Sequence, residues 1–326
     1  MTSGVEEARA GLDPALRAVA DAVAGSGLPP MVELDPDGAR QRIRGALQSC
    51  AAGPEVDTVT MRSVGEHATV RIFRPLAREA VGTVVHFHGG GWVTGDLDYA
   101  DATCRTIADR SGAAVVSVDY RLAPEARFPA AVDDAMDVLR WVAAGSEGLD
   151  PRIVVAGDSA GGNLAAVCTH LARGDDRIEL VGQVLVYPVV DVDLSRDSYA
   201  ANSGIFLGAR EMQWFLDHYC PDVAQRTSPL LAPLRAPDLS SLPPAVVVVG
   251  GHDPLLDEGV EYAERLAASG VPVELLRYPT LPHGFLQFTA VSPASAAAVA
   301  EIAAATARLL EEAAAQTDST TGGAHA

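Results

Sequence analysis

Five residues, Gly157-Asp158-Ser159-Ala160-Gly161, stand between an apolar run at 153–156 and a helix-forming run at 162–173. This order predicts a strand, a tight turn and a helix. Glycines on both sides of a serine let the backbone make a strained turn that presents the serine hydroxyl above a sheet. Ser159 is therefore a candidate nucleophile, and its partners should lie at the same edge of the sheet.

The same pattern also fits a glycine-rich turn of an ordinary α/β sheet, or a phosphate-binding loop at a helix N-terminus. All 24 basic residues are Arg, and the chain contains no Lys. The lack of Lys excludes a P-loop lysine, a Schiff-base lysine and a Ser-Lys dyad. The net charge of −19, without any basic run, argues against a nucleic-acid partner.

Alternating strand and helix patterns begin near residue 56. The first two strand candidates are adjacent and alternate apolar with polar residues, whereas the later ones are Val-rich and separated by helices. Strands are predicted near 56–63, 68–74, 82–88, 113–119, 152–157, 181–187, 245–250 and 272–278. Helices are predicted near 99–110, 129–144, 160–173, 257–268 and 293–314. We therefore predict an α/β fold with about eight strands, mostly parallel, and helices on both faces.

Segments outside this alternation have roles that the pattern leaves open. Two helical segments precede the first strand, the first carrying Leu12, Leu16, Val19 and Val23 at helical spacing. They are either decoration packed on the core or a lid over a pocket. The insertion at 188–244 contains an amphipathic piece at 210–219 and is a second candidate lid. Residues 315–326 are small and polar, which predicts a disordered tail.

The four cysteines, at positions 50, 104, 168 and 220, show no C-x-x-C spacing. Free thiols in a reducing compartment explain them better than a disulfide framework or a zinc site. Residues 1–27 lack a basic region followed by a long apolar run, and no stretch of about 18 apolar residues occurs. We therefore expect no signal peptide, no membrane span and a cytoplasmic protein.

A serine nucleophile needs a base and a group that orients the base. If the chain order is serine, acid, histidine, only His283 and His325 lie far enough downstream, and His325 falls in the predicted tail. His283 is therefore the candidate base, against the alternative of a surface or packed histidine. Asp253 follows a Val-rich strand directly and is the preferred acid. Asp257 and Asp191 are its rivals.

Oxyanion donors are expected from the amide of Ala160 and from a glycine-rich loop after an earlier strand. The loop His88-Gly89-Gly90-Gly91 fits, and Gly89 and Gly90 are the predicted donors. A metal site on His86 and His88 is a competing interpretation, because the two alternate along a strand. No second cluster of ligands accompanies them, so His88 is better explained as bracing the glycine loop.

Taken together, these motifs resemble those of the hormone-sensitive lipase-like carboxylesterases, the bacterial family IV esterases, over residues 56 to 310. The motifs that carry the resemblance are HGGG at 88–91, YRLAPE at 120–125, GDSAGG at 157–162, DPLLDEG at 253–259 and HGF at 283–285. The resemblance implies an α/β-hydrolase fold, a Ser159-Asp253-His283 triad and a helical cap. The implied division is a cap segment at 1–55, core at 56–187, a cap insertion at 188–244, core at 245–314 and the tail at 315–326.

The resemblance also implies hydrolysis of short- to medium-chain carboxylic esters without a cofactor, and it allows a homodimer. A related hydrolase acting on amides, lactones or N-acetyl groups would need the same triad. A non-catalytic binder of the same fold is disfavoured by His283. The candidate substrate contacts are residues that flank the motifs, namely Trp92, Asp96, Tyr187, Phe206, Leu256 and Phe285.

Overall fold

Eight strands form one sheet in the computed structural model of the protein, which describes residues 11–47, 51–76 and 80–322. The strands are β1 (Thr58–Val64), β2 (Ala68–Arg74), β3 (Thr83–Phe87), β4 (Ala114–Asp119), β5 (Ile153–Asp158), β6 (Leu180–Val186), β7 (Ala245–His252) and β8 (Val273–Pro282). All eight predicted strands are present. The last one runs four residues past its predicted end, because β8 stays paired with β7 as far as Pro282.

The strand order is β1-β2-β4-β3-β5-β6-β7-β8. β2 runs antiparallel to both β1 and β4, and every other neighbouring pair is parallel. The predicted antiparallel edge and the mostly parallel sheet are therefore confirmed. β3 and β5 are buried along their whole length, which explains their continuous apolar sequence.

Nine α-helices lie in the described ranges. They are α1 (Pro14–Gly25), α2 (Pro36–Leu47), α3 (Leu97–Ser111), α4 (Ala130–Ala143), α5 (Ala160–Ala172), α6 (Asp197–Asn202), α7 (Ala209–Tyr219), α8 (Leu256–Ala268) and α9 (Pro293–Gly322). The short helix α6 was not predicted, because six residues are too few to show a helical period. None of these helices is long and apolar enough to cross a bilayer.

Helix α9 corrects the prediction of a disordered tail from residue 315. The helix continues to Gly322, and residues 323–326, including the rival base His325, lie outside the described residues. Residues 311–316 are Glu, Ala and Gln, which are strong helix formers and let the helix continue past Leu310, whereas the propensities of residues 317–322 do not explain its last turns.

Two apolar layers enclose the sheet, and successive strand residues enter different layers. Val84 packs on the side of α1, α3 and α9, whereas Val85 packs on the side of α4, α5 and α8. Val246 and Val247 divide in the same way. This alternation follows from the two-residue period of a strand and confirms that helices cover both faces.

The segments predicted as lid material lie at two places in the chain, α1 and α2 before the sheet and α6 and α7 within the insertion. Leu16 and Ala20 are the buried residues of α1, whereas Val23, predicted on the same apolar side, is 59% exposed. The predicted apolar face of this helix therefore ends one turn early. The division into cap and core, and any movement of the cap, stay predictions.

Candidate active site

Ser159 follows β5 directly and immediately precedes α5. Its backbone has φ of 56° and ψ of −116°, which is strained for any residue other than glycine. A Cβ on Gly161 would lie 1.9 Å from the carbonyl oxygen of Phe87, so only glycine allows the helix to start this close to β3. The turn therefore has the predicted strand–turn–helix geometry, with the serine at its apex.

Ser159, His283 and Asp253 form a chain of two hydrogen bonds, with His283 in the middle. The distance from Ser159 Oγ to His283 Nε2 is 3.0 Å, and His283 Nδ1 lies 2.8 Å from Asp253 Oδ2. Asp253 is fully buried, and its second oxygen accepts a hydrogen bond from the Leu255 amide. The carboxylate is thus fixed at both oxygens, and it holds the imidazole with Nε2 facing the serine.

The rival acids have other partners. Asp191 forms ion pairs with Arg196 and Arg235. Asp257 accepts a hydrogen bond from the backbone amide of Ser198. The structure therefore brings Asp253, rather than either rival, to the imidazole, because the loop after β7 lies next to the loop after β8.

The geometry of the glycine loop differs from the prediction at one oxyanion donor, Gly89. The Gly89 amide donates to Asp158 Oδ1 at 2.9 Å, so it is already occupied. The amides of Gly90 and Gly91 have no acceptor in the described ranges, and neither has that of Ala160 at the first turn of α5. Gly90 and Gly91 both have positive φ, of 113° and 59°. The donors available to an oxyanion are therefore Gly90, Gly91 and Ala160, with Gly91 replacing Gly89.

Asp158 explains why Gly89 is unavailable. Its carboxyl is almost fully buried, accepts from the Gly89 amide and lies 3.4 Å from the Tyr99 hydroxyl. Burial raises the pKa of the Asp158 carboxyl to about 6. Desolvation outweighs the hydrogen bond from Gly89 and the nearby His283, both of which lower the pKa. Asp158, the residue before the nucleophile, is thus hydrogen-bonded to the oxyanion loop.

Comparison with known proteins decides which family these features belong to. The sequence profile of the alpha/beta hydrolase fold family matches residues 84–287. A carboxylesterase of Mycobacterium tuberculosis, NlhH, is 42% identical over 93% of this chain and 98% of its own length. The chain is a hormone-sensitive lipase-like α/β-hydrolase.

Two further comparisons describe this α/β-hydrolase more closely. An ethyl acetate hydrolase of Pseudomonas putida is 36% identical over 80% of this chain and 86% of its own length. The structure of an ester hydrolase from the metagenome of Lake Arreo has a TM-score of 0.86 at 36% identity, covering 91% of this chain and 98% of that one. That structure was solved with a derivative of bipyridine phosphonate bound.

Three of the aromatic residues predicted to contact substrate are buried in this α/β-hydrolase. Trp92 and Phe285 are fully inaccessible, and Tyr187 is 1% exposed. Trp92 stacks on Tyr219 of α7, whereas Tyr187 packs against the His283 ring with centroids 4.7 Å apart. A substrate could touch these rings only if neighbouring side chains moved, so their role as substrate contacts stays a prediction.

The other three predicted contacts are partly exposed. Asp96 caps α3 by accepting from two of its backbone amides, and it pairs with Arg44 of α2. Phe206 stacks on Phe288 with centroids 5.0 Å apart. Leu256 is half-buried at the start of α8. A capping role explains Asp96 without a substrate, whereas the geometry leaves Phe206 and Leu256 accessible to one.

The metal interpretation of His86 and His88 finds no support in the surroundings. Burial lowers the pKa of His86 to about 3 and that of His88 to about 4. His88 Nδ1 donates to the Gly89 carbonyl at 2.7 Å, which confirms the predicted bracing of the loop. Within the residues that the structure describes, no group of three or more His, Cys, Asp or Glu side chains could hold a metal ion.

The free thiols agree with the sequence analysis at three of the four positions. Cys104, Cys168 and Cys220 are buried and unpaired with another cysteine, and Cys50 lies outside the described residues. Sequence reasoning missed Gly91 and the contact of Asp158. The glycine run itself was the available signal for Gly91. The contact of Asp158 depends on packing between β3 and β5, which no local pattern reveals.

Proposed function

We propose that this chain is a serine carboxylesterase with Ser159 as nucleophile, His283 as base and Asp253 as the orienting acid. The observation that carries the proposal is the chain of two hydrogen bonds, 3.0 Å and 2.8 Å long, from serine through histidine to a buried carboxylate. Family membership and the esterase relatives support the same chemistry. The chain therefore needs no cofactor for the reaction.

In the first step, Ser159 Oγ attacks the ester carbonyl carbon while His283 Nε2 accepts the hydroxyl proton. The carbonyl oxygen becomes an oxyanion next to the amides of Gly90, Gly91 and Ala160. Collapse of this intermediate breaks the bond to the alcohol oxygen, and the imidazolium gives its proton to that oxygen. The products of this step are an acylated Ser159 and a free alcohol.

In the second step, a water molecule attacks the acyl-enzyme carbonyl while His283 Nε2 accepts a proton from the water. The same three amides stabilise the second oxyanion. Its collapse breaks the acyl bond to Ser159 Oγ, which regains a proton from the imidazolium. Asp253 remains a carboxylate in both steps and keeps Nε2 directed at the serine.

We further propose a preference for short acyl chains. Ser159 is only 7% exposed, and the Phe215 ring of α7 lies so close to Gly91 that any Cβ there would overlap it. Little room is therefore left above the oxyanion loop for a long chain. The ethyl acetate hydrolase among the relatives supports the same range.

Hydrolysis of p-nitrophenyl esters from acetate to palmitate, by the wild type and by Ser159→Ala, tests both proposals. We expect turnover by the wild type alone, greatest for the short chains. The Ser159→Ala protein should keep its melting temperature, since only one oxygen atom is lost. If the folded wild type hydrolysed no ester, an amide, lactone or N-acetyl substrate would replace the ester.

A cytoplasmic location and a homodimer are the remaining proposals. Three buried free thiols support the location, because thiols stay reduced in the cytoplasm. Fractionation of the native host tests the location. Sedimentation equilibrium tests the dimer, and a single species with the mass of one chain, 33.9 kDa, would exclude it.

A further inference from the structure

The turn that contains Gly90 and Gly91 is strained, and contacts with residues from other parts of the chain fix its conformation. Trp92, the next residue, is not glycine yet has φ of 59°, a conformation that persists only where the surroundings fix it. Its ring is fully buried and stacks on Tyr219 with centroids 4.5 Å apart and planes 8° apart. Helix α7 therefore holds one side of the turn.

Arg40 of α2 holds the other side. Its Nε donates to the Val93 carbonyl at 2.9 Å, and Nη2 donates to the Ala123 carbonyl at 2.9 Å. The Ala123 amide in turn donates to the Trp92 carbonyl at 2.8 Å. Two successive carbonyls of the oxyanion turn are thus bound, one by Ala123 directly and one by the guanidinium that also binds Ala123.

The remaining donors of Arg40 bind carboxylates. Nη1 and Nη2 donate to the two oxygens of Glu125 at 2.9 Å and 2.7 Å, and Nη1 also contacts Asp37. The Arg40 side chain is only 15% exposed, whereas that of Glu125 is 63% exposed. A guanidinium is planar and has five N–H donors in a fork, so no other side chain could make this set of contacts.

We propose that Arg40 is a positioning residue for the oxyanion hole, which makes docking of the N-terminal helix α2 a condition for full activity. When α2 is docked, Arg40 fixes the Val93 carbonyl and hence the turn that directs the Gly90 and Gly91 amides. When α2 is undocked, the strained Trp92 is free to relax and the two amides lose their direction. The inference rests on the proposed esterase function, because it assigns those amides to the oxyanion.

Two substitutions separate the carbonyl contacts from the charge. Arg40→Met keeps the length of the stem and loses every donor. Arg40→Lys keeps the charge, but a single ammonium cannot reach both carbonyls with the geometry of a fork. For both we expect kcat to fall by about 10- to 100-fold, somewhat less than for loss of one oxyanion donor. KM should stay within about threefold, because the turn acts on the transition state.

Two matched controls come from neighbouring residues. Arg42→Met removes an arginine of the same helix that donates to the Pro29 carbonyl rather than to the carbonyls of the turn. Glu125→Gln removes the exposed carboxylate partner but leaves the carbonyls of Val93 and Ala123 for Arg40 to bind. Both controls should keep kcat within about threefold of the wild type.

Inhibition by an aryl trifluoromethyl ketone gives a readout specific to the oxyanion. The ketone adds to the serine and places its oxyanion where the ester oxyanion forms, so its affinity should weaken in the Arg40 variants by about the same factor as kcat/KM. Melting curves show whether each variant folds. If Arg40→Met does not fold, Arg40→Lys alone tests whether Arg40 positions the oxyanion donors.

Normal kcat and ketone affinity in folded Arg40→Lys and Arg40→Met proteins would overturn the inference. An equal loss in Arg42→Met would also overturn it, since it would point to general loosening of the helix. Absence of ester hydrolysis in the wild type would instead refute the proposed function, so the two failures are distinguishable.

Discussion

Replacing the buried carboxyl of Asp158 by an amide should make the protein more stable, and the gain should depend on pH. Burial raises the pKa of this carboxyl from its ordinary 3.8 to about 6. Between these two values the folded state holds a proton that the unfolded chain has released. The stability of the wild type therefore falls as pH rises from about 4 to about 6, and the loss is complete above pH 6.

The size of the effect follows from the same two values. One pH unit corresponds to 1.36 kcal/mol, so the interval from 3.8 to about 6 corresponds to about 3 kcal/mol. Asparagine does not ionise, and its carbonyl oxygen can still accept the Gly89 amide that Asp158 Oδ1 accepts at 2.9 Å. Asp158→Asn should therefore gain up to about 3 kcal/mol over the wild type at pH 7, and about half of that at pH 5.

Urea unfolding of both proteins at a series of pH values from 5 to 8 measures the difference. Asp176→Asn, which changes an exposed aspartate, is the matched control and should show no comparable trend. A gain that is the same at pH 5 and pH 7, or a loss of stability at pH 7, would refute the reasoning. Esterase activity should survive in Asp158→Asn, because the Gly89 amide keeps an acceptor.

The remaining predictions concern the acid of the triad, the turn around Ser159 and a second buried carboxyl. Asp253→Asn should lower kcat by about 10³- to 10⁴-fold in steady-state assays, because the amide favours the wrong imidazole tautomer; a loss under tenfold would contradict its role. Gly161→Ala should destabilise the protein by about 3 kcal/mol or more in urea unfolding, since its Cβ would overlap Phe87, whereas Gly174→Ala, with no atom nearer than 3.7 Å, should change little. Burial raises the pKa of Glu258 to about 8, so Glu258→Gln should gain stability relative to the wild type as pH rises from 5 to 8; a constant difference would count against this.

Local sequence patterns predicted most of the fold. Val-rich runs such as 245–250 must be buried on both faces, and helical periods fill the gaps between them. The pattern failed where packing or propensity decided the outcome. Val23 has the right spacing for the buried face of α1 but is exposed to solvent. Helix α9 continues past Leu310 through residues 311–316, which favour helix.

Local sequence patterns also predicted most of the candidate site. Ser159, Asp253 and His283 each follow a strand at one edge of the sheet, so strand order alone brings them together. The choice between Gly89 and Gly91 as a donor could not be made from the sequence, because it depends on a hydrogen bond from the Gly89 amide to a carboxylate 69 residues away. Arg40 gave no signal at all, since a surface arginine and one that binds two carbonyls look identical in the sequence.

Covalent labelling of the wild type with a p-nitrophenyl alkylphosphonate tests the central claim most directly. The proposed mechanism predicts release of one p-nitrophenolate per chain, with the phosphonate found by mass spectrometry on the peptide that contains Ser159. Ser159→Ala should take up no label, and His283→Ala should be labelled far more slowly. Label on a different residue, or none at all in a protein that hydrolyses esters, would contradict the claim that Ser159 is the nucleophile.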